Sequence, residues 1–284
     1  MKIIKDITDG KERAFYNQSN TNFINIKITG IEDGESAFKE CNNIIVEESL
    51  LDLRYPFWHD TLLSINGCKL TEKCRAALWY SKKITMIDTI AEGVKVFREC
   101  NDIKISDTKI TSPEPFWFCR DVKIKDSYVE GEYAFFKGEN IEISNLNFKG
   151  KYSFQYVKNL TITDSFLDTK DAFWHAEDVT VINSTVKGEY LGWYGKNLKF
   201  VNCTIIGTQP LCYTDGVILE NCKMIDTDFA FEYSIVDASI NGEILSIKNP
   251  YKGIIKADSI KDIIIDENAK IDSNVEITVN KQVA

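Results

Sequence analysis

Apolar and polar residues alternate in short runs along this chain, and the runs recur at a fixed distance. The segment Asn159-Leu160-Thr161-Ile162-Thr163-Asp164-Ser165-Phe166-Leu167 matches Asp102-Ile103-Lys104-Ile105-Ser106-Asp107-Thr108-Lys109-Ile110 and Asn197-Leu198-Lys199-Phe200-Val201-Asn202-Cys203-Thr204-Ile205. Period-two alternation puts successive side chains on opposite faces of a strand, so the runs predict β structure; no 3.6-residue period supports a helix. The first apolar residue of each copy falls at Ile44, Leu63, Ile84, Ile103, Val122, Ile141, Leu160, Val179, Leu198 and Val217. Neighbouring copies are 19 residues apart except for the 21-residue step after Leu63, whose two extra residues fall in Thr71-Glu72-Lys73, an expected loop. Two short strands and a third, more aromatic one make up each period.

A strand unit this short cannot bury its apolar face alone, but stacked units can, and that makes a solenoid. An antiparallel sandwich would not hold one period over ten copies, and helical repeats need a helix per unit. The expected fold is all-β: a right-handed single-stranded parallel β-helix, a solenoid of ~19-residue coils. With five prolines and fifteen glycines and no linker-like stretch, one domain over 1–284 is expected. It would have an N-terminal cap at about 1–20, repeat coils at about 22–250, and last coils with a C-terminal cap at about 251–284, because an open end exposes unpaired strand edges.

Equivalent residues of neighbouring coils stack about 4.8 Å apart, so the chain is best read in columns. Asn43, Asp102, Asp121, Asn140, Asn159, Asp178 and Asn197 form a turn column whose side chains can bond local backbone, a ladder expected of right-handed rather than left-handed β-helices. Asp107, Asp126 and Asp164 fall at another turn. Gly34, Gly93, Gly131, Gly150 and Gly188 mark a corner needing positive φ or close approach. Phe38, Phe57, Leu78, Phe97, Phe116, Phe135, Phe154 and Phe173 form a column without a polar member, hence core.

Several of these residues also carry a family likeness. Glu35-Ser36-Ala37-Phe38, Glu132-Tyr133-Ala134-Phe135, Asp171-Ala172-Phe173-Trp174 and Glu189-Tyr190-Leu191-Gly192-Trp193 recur, with Leu211-Cys212-Tyr213 and Ala230-Phe231-Glu232-Tyr233-Ser234. Through them nearly the whole chain resembles a bacterial family known as domain of unknown function 3737. The resemblance implies a right-handed, pectin-lyase-like β-helix and brings no substrate or catalytic residue with it.

A net charge of −9 without a Lys/Arg cluster argues against a nucleic-acid partner and against an anionic membrane surface. The start, Met1-Lys2-Ile3-Ile4-Lys5-Asp6, is charged where a signal peptide needs its apolar run, and no eighteen apolar residues follow one another. A soluble, cytoplasmic protein is expected. The eight cysteines form no CxxC pair and lie among apolar residues, so free core thiols are expected, and no metal. Cys100 and Cys119, like Cys203 and Cys222, are one coil apart, within reach of a crosslink under oxidation. No phosphate cradle, nucleophile elbow or dinucleotide fingerprint calls for a cofactor.

Immediately after the Phe column come Lys39, Trp58, Trp79, Arg98, Trp117, Phe136, Gln155, Trp174, Trp193 and Cys212, a column holding all five tryptophans. Its mixture of Trp with Lys, Arg and Gln implies partial exposure. The next column reads Glu40, His59, Tyr80, Glu99, Phe118, Lys137, Tyr156, His175, Tyr194 and Tyr213, then Glu232. Together they predict an aromatic ledge suited to an oligosaccharide, whose ring faces would stack on indole while hydroxyls bond to Glu99, Tyr156 or His175. Arg98 between Trp79 and Trp117 could favour a carboxylated sugar.

Two other readings stay open. The ledge could stack on itself, lie beneath the segment from Tyr251 onward, or serve as an interface, including that of a homodimer in a structural or oligomerising protein. Alternatively the protein acts on a polysaccharide as a hydrolase or lyase. Glycoside hydrolysis needs two carboxyls about 5 to 9.5 Å apart. Glu40 and Glu99, three coils apart, would be roughly 14 Å from each other; Glu40 and Asp60 are nearer, with His59 beside them. His59 and His175, six coils apart at roughly 29 Å, cannot share a metal or a triad.

Overall fold

The computed structural model describes residues 1–30 and 34–280, and every regular element among them is a strand. The chain divides between Asn147 and Phe148 into two compact units, each a parallel β-solenoid.

In the first unit Asn42–Glu47, Thr61–Asn66, Lys82–Ile87 and Asn101–Ser106 pair in parallel, one strand per coil, setting Ile44 against Leu63, Leu63 against Ile84 and Ile84 against Ile103. Leu50–Asp52, Lys69–Leu70, Ile90–Glu92 and Lys109–Thr111 form a second parallel row, and Phe57–Trp58, Leu78–Trp79 and Phe97–Arg98 a third. The second unit repeats the first two rows, aligning Leu160, Val179, Leu198, Val217 and Val236, while the expected third strand is replaced there by turns. The periodic apolar positions thus fall on one another's rungs because each inward side chain must meet its equivalent in the next coil to leave water.

The N-terminal segment supplies strands of its own: Lys2–Lys5 pairs with Ser19–Ile24, and Thr8–Asp9 with Lys27–Thr29. Only two apolar residues occur in the first of these strands, too few to register as a period. Past 251 the coils continue, with Lys252–Ile264 pairing both Ile235–Lys248 and Asn274–Val279.

The Phe column is core. Phe38, Phe57, Leu78, Phe97, Phe116 and Phe135 are fully buried, and the rings of Phe97, Phe116 and Phe135 stack at 4.7 and 4.6 Å, within 6° of parallel. In the second unit Phe154 and Phe173 stack at 5.1 Å.

Asn and Asp, the non-glycine residues that tolerate the left-handed conformation best, hold most positions of the turn column, with φ of 54° at Asn43, 55° at Asp102 and 57° at Asp178, though Leu62 and Lys83 adopt it as well. The Asn and Asp side chains then bond coil to coil, as from Asn43 Nδ2 to Asn20 (2.7 Å), Asn145 to Asp126 (2.8 Å) and Asn197 to Asp178 (2.9 Å). Glycine is required where backbones touch: a Cβ at Gly131 would lie 2.0 Å from the Ser112 carbonyl oxygen.

Inward-facing corners carry small hydroxyls that satisfy the buried backbone. Thr108 Oγ1 accepts from the Thr89 amide at 3.4 Å and donates to the Ser106 carbonyl at 2.8 Å; Ser127 accepts from the Thr108 amide at 3.2 Å and donates to Lys125 at 2.7 Å. All eight cysteines are free and buried, several in these same columns.

Candidate functional site

The ledge arises at the third side of each coil, a strand at Phe57–Trp58, Leu78–Trp79 and Phe97–Arg98 and a turn in the coils of the second unit, where three consecutive residues take different depths. Phe57 is buried, Trp58 half-buried and His59 exposed; the same holds for Leu78, Trp79 and Tyr80. The outermost residue turns the corner in the left-handed region, with φ of 62° at Glu40, 65° at His59, 57° at Tyr80 and 53° at Glu99. The residue after it points inward, so the outer row is backed by Cys41, Asp60, Ser81, Cys100 and Cys119, all buried.

In the first unit the inner row is a continuous stack. Lys39 Nζ lies 4.4 Å from the Trp58 ring centre, Trp58 and Trp79 are 5.5 Å apart and 11° from parallel, and the Arg98 guanidinium is 4.9 Å from Trp79. Inserting a sugar ring between two indoles would need roughly 7 Å, twice a contact distance of about 3.5 Å. The expected stacking of sugar faces on the indoles of Trp58 and Trp79 is therefore not available, because those faces are taken by neighbours in the same column. Trp117 lies against Phe136 at 5.3 Å and Lys95 at 5.0 Å.

The cations of this row are balanced locally. Arg98 Nε donates to Glu99 at 3.1 Å, Lys95 pairs with Glu114 at 2.8 Å and Lys39 approaches Glu40 at 3.8 Å. Arg98 thus offers no uncompensated charge to a carboxylated sugar.

The second unit carries the longest aromatic run. Trp174 and Trp193 stack at 5.4 Å and 5° in the inner row, each indole N–H donating to a backbone carbonyl 16 residues further on, at Tyr190 (2.7 Å) and Gln209 (2.8 Å). Trp117 makes the same bond to Tyr133 at 2.8 Å, whereas the buried indole nitrogens of Trp58 and Trp79 have no partner. Outside, Tyr156, His175, Tyr194 and Tyr213 stack at 4.8, 5.1 and 5.0 Å, with planes within 15°. Tyr156 and Tyr194 are 43% and 48% exposed, so the ring edges and polar tips of this row face solvent.

Tyr213 closes the run. Its hydroxyl donates to Glu232 at 3.0 Å, and burial, with that bond, raises its phenol well above the ordinary tyrosine value. Lys248, 3.2 Å from Glu232, is raised in turn by the bond to that carboxylate. Tyr80 and Tyr213 belong with the candidate ligand-binding residues; their place in the outer column was the signal for them.

The possible catalytic trio is not assembled on one surface. Glu40 is exposed and accepts from the Tyr16 hydroxyl at 2.6 Å, His59 is exposed and stacks on Tyr80 at 5.0 Å, and Asp60 is fully buried behind them. His59 turns the corner, which sends the next side chain into the wall. Among the described residues no three His, Cys, Asp or Glu side chains group as metal ligands. No helix is long and apolar enough to cross a membrane. A cleft of about 500 Å³ in the first unit, reached by Arg54, Lys73 and Arg75, had no counterpart in the columns. Its lysine is tied to Asp52 at 2.8 Å by way of the Thr71-Glu72-Lys73 insertion.

Fold and site together define a parallel β-solenoid with an aromatic wall. The chain matches the family described as Protein of unknown function (DUF3737) over residues 2–278 and belongs to it. Among curated sequences none matches. Similar solved structures include the tailspike protein of E. coli bacteriophage HK620 in complex with pentasaccharide, at 8% identity over 97% of this chain and 72% of that one, with a TM-score of 0.40. The surface adhesin PfbA of Streptococcus pneumoniae is similar at 10% identity over 85% and 74%, with a TM-score of 0.32. The A-module of mannuronan C-5 epimerase AlgE4 of Azotobacter vinelandii follows at 11% over 84% and 81%, with a TM-score of 0.28. Likeness at this level does not extend to substrate.

Proposed function

We propose that the protein is a binding module for a neutral, extended oligosaccharide, which lies along the outer row of the second unit. The observation that carries this is the Tyr156–His175–Tyr194–Tyr213 stack, exposed at its first three members and half-buried at Tyr213, whose rungs repeat every 4.8 to 5.1 Å. An extended glycan advances by about one sugar per strand spacing, so successive sugars meet successive rungs. Ring edges supply apolar contact, while phenol hydroxyls and imidazole nitrogens supply hydrogen bonds of the kind sugar hydroxyls exchange. Neutrality follows from the net charge of −9 and from the pairing of Lys248 with Glu232 at the end of the row.

Trp193 sits edge-on to Tyr194 and Tyr213, at 6.3 and 5.3 Å, so its emission reports occupancy. Titration with neutral and acidic oligosaccharides should give a saturable change with the neutral class alone. Tyr194→Ala should weaken that binding about tenfold, the equivalent of about 1.4 kcal/mol. Emission that ignores every glycan, together with sedimentation altered by Tyr194→Ala, would instead identify the row as a protein interface.

A further inference from the structure

Asp60 stands in a column where every other polar residue with assigned side-chain hydrogen bonds serves as a donor, and the serine hydroxyls accept as well. Ser81 Oγ accepts from the Asp60 amide at 3.0 Å and donates to the Phe57 carbonyl at 2.9 Å. Cys100 Sγ donates to the Leu78 carbonyl at 3.0 Å, and Cys41 Sγ to the Phe15 carbonyl at 3.2 Å. The second unit repeats the rule independently: Ser234 accepts from the Thr214 amide at 3.0 Å and donates to the Leu211 carbonyl at 2.7 Å. These four donors reach the carbonyl of the residue at the Phe-column position one coil earlier, whereas Cys119 donates to Trp117 at 3.7 Å and Thr214 to Leu211 of its own coil at 3.5 Å.

Asp60 performs the accepting half, with Oδ1 taking the Cys41 amide at 2.8 Å. Its Oδ2 is buried and has no partner. On the pattern of Ser81, the next residue of the column, the groups left for Oδ2 are the carbonyls of Phe38 and Trp58, the equivalents of the Phe57 and Trp79 carbonyls that Ser81 uses. An ionised carboxylate only accepts and would face carbonyl oxygen without a proton between them; a carboxylic acid has one to donate.

We propose that Asp60 is kept as a neutral carboxylic acid in the folded protein at neutral pH, its Oδ2–H bonded to the Phe38 or Trp58 carbonyl, and that its ionisation is a pH-sensitive latch on the corner that presents Glu40 and His59. The groups that bear on it electrostatically are Cys100 and Glu40, both of which disfavour a negative charge, and the Cys41 thiol, itself pushed up to about 12 by burial; none is a cation. His59, the adjacent residue, is exposed and stacked on Tyr80. Burial, the largest influence, raises the Asp60 carboxyl well above the ordinary range. A folded value above the unfolded one means that stability is fully present below about pH 4 and is lost as pH rises toward the folded value.

Asp60→Asn keeps the acceptor, supplies a donor and removes the titration. Urea unfolding of the full-length wild type and variant between pH 4 and 8 should show the ratio of their unfolding constants, wild type over variant, rising about tenfold per pH unit. A ratio independent of pH overturns the proposal. Asp60→Ser, copying Ser81, should behave as Asp60→Asn does. Should neither variant fold, carboxyl-carbon NMR of labelled wild type decides: a protonated-acid resonance persisting at pH 7 supports the latch, and titration near pH 4 sinks it. At pH values where Asp60 ionises, exchange of the Cys41 amide should quicken while the Thr214 amide, held by Ser234, is unaffected.

Discussion

Trp79 has Trp58 on one side and Arg98 on the other, so its indole is a structural part of the wall. Trp79→Ala should therefore cost stability, about 2 kcal/mol for a half-buried tryptophan against 3–5 for a buried one, and leave glycan affinity at the second unit unchanged. Denaturant unfolding and the emission titration separate the two effects. Phe116, fully buried between Phe97 and Phe135, has no room to collapse, and Phe116→Ala should cost about 3–5 kcal/mol in the same measurement. Asp60 teaches a related lesson about direction. Its neighbours Glu40 and His59 in the outer column suggested a surface acid, and the structure instead turns it inward with Cys41, Ser81, Cys100 and Cys119. The sequence gives position along a coil, while depth depends on the left-handed turn at His59, which an alternating pattern does not encode.

At the scale of strands and corners the period was a sufficient guide. Ile44, Leu63, Ile84 and Ile103 meet rung to rung because a parallel ladder shifted by one residue would turn every inward side chain to solvent. Ring orientation was not legible, since a column of tryptophans can present faces or edges to solvent and χ angles leave no trace in residue spacing. The corner ladder alternates amides with carboxylates in places, as at Asn25–Asp6 and Asn145–Asp126. Asp88, Asp107 and Asp126 follow one another in the same left-handed corner with φ of 46°, 54° and 50° and no amide between them. Like charges on adjacent rungs repel, and Asp107→Asn would place a donor between two acceptors. That variant should raise stability by about 0.5–1 kcal/mol in denaturant unfolding at neutral pH, with the gain shrinking at high salt.

For the molecule as a whole, the free and buried state of the cysteines turns them into probes of opening. The neighbouring Cys222 thiol lowers Cys203, yet both residues are buried and each thiol donates to a carbonyl of the preceding coil, Cys203 to Val181 and Cys222 to Phe200, both at 3.3 Å. Acidity without access gives no reactivity. Native protein treated with iodoacetamide should stay unlabelled at neutral pH, and labelling should appear coil by coil as urea loosens the stack; rapid labelling of Cys203 in buffer would contradict the burial. The nineteen-residue repeat also has a bearing on how the chain is made. Contacts within each unit mostly join residues one coil apart, so each loop to be closed is short and of nearly equal length. At about 5–20 residues per second, a ribosome releases one coil every one to four seconds or so. Each coil can settle on a template laid down moments before, with no wait for distant sequence, and the order of synthesis becomes the order of folding.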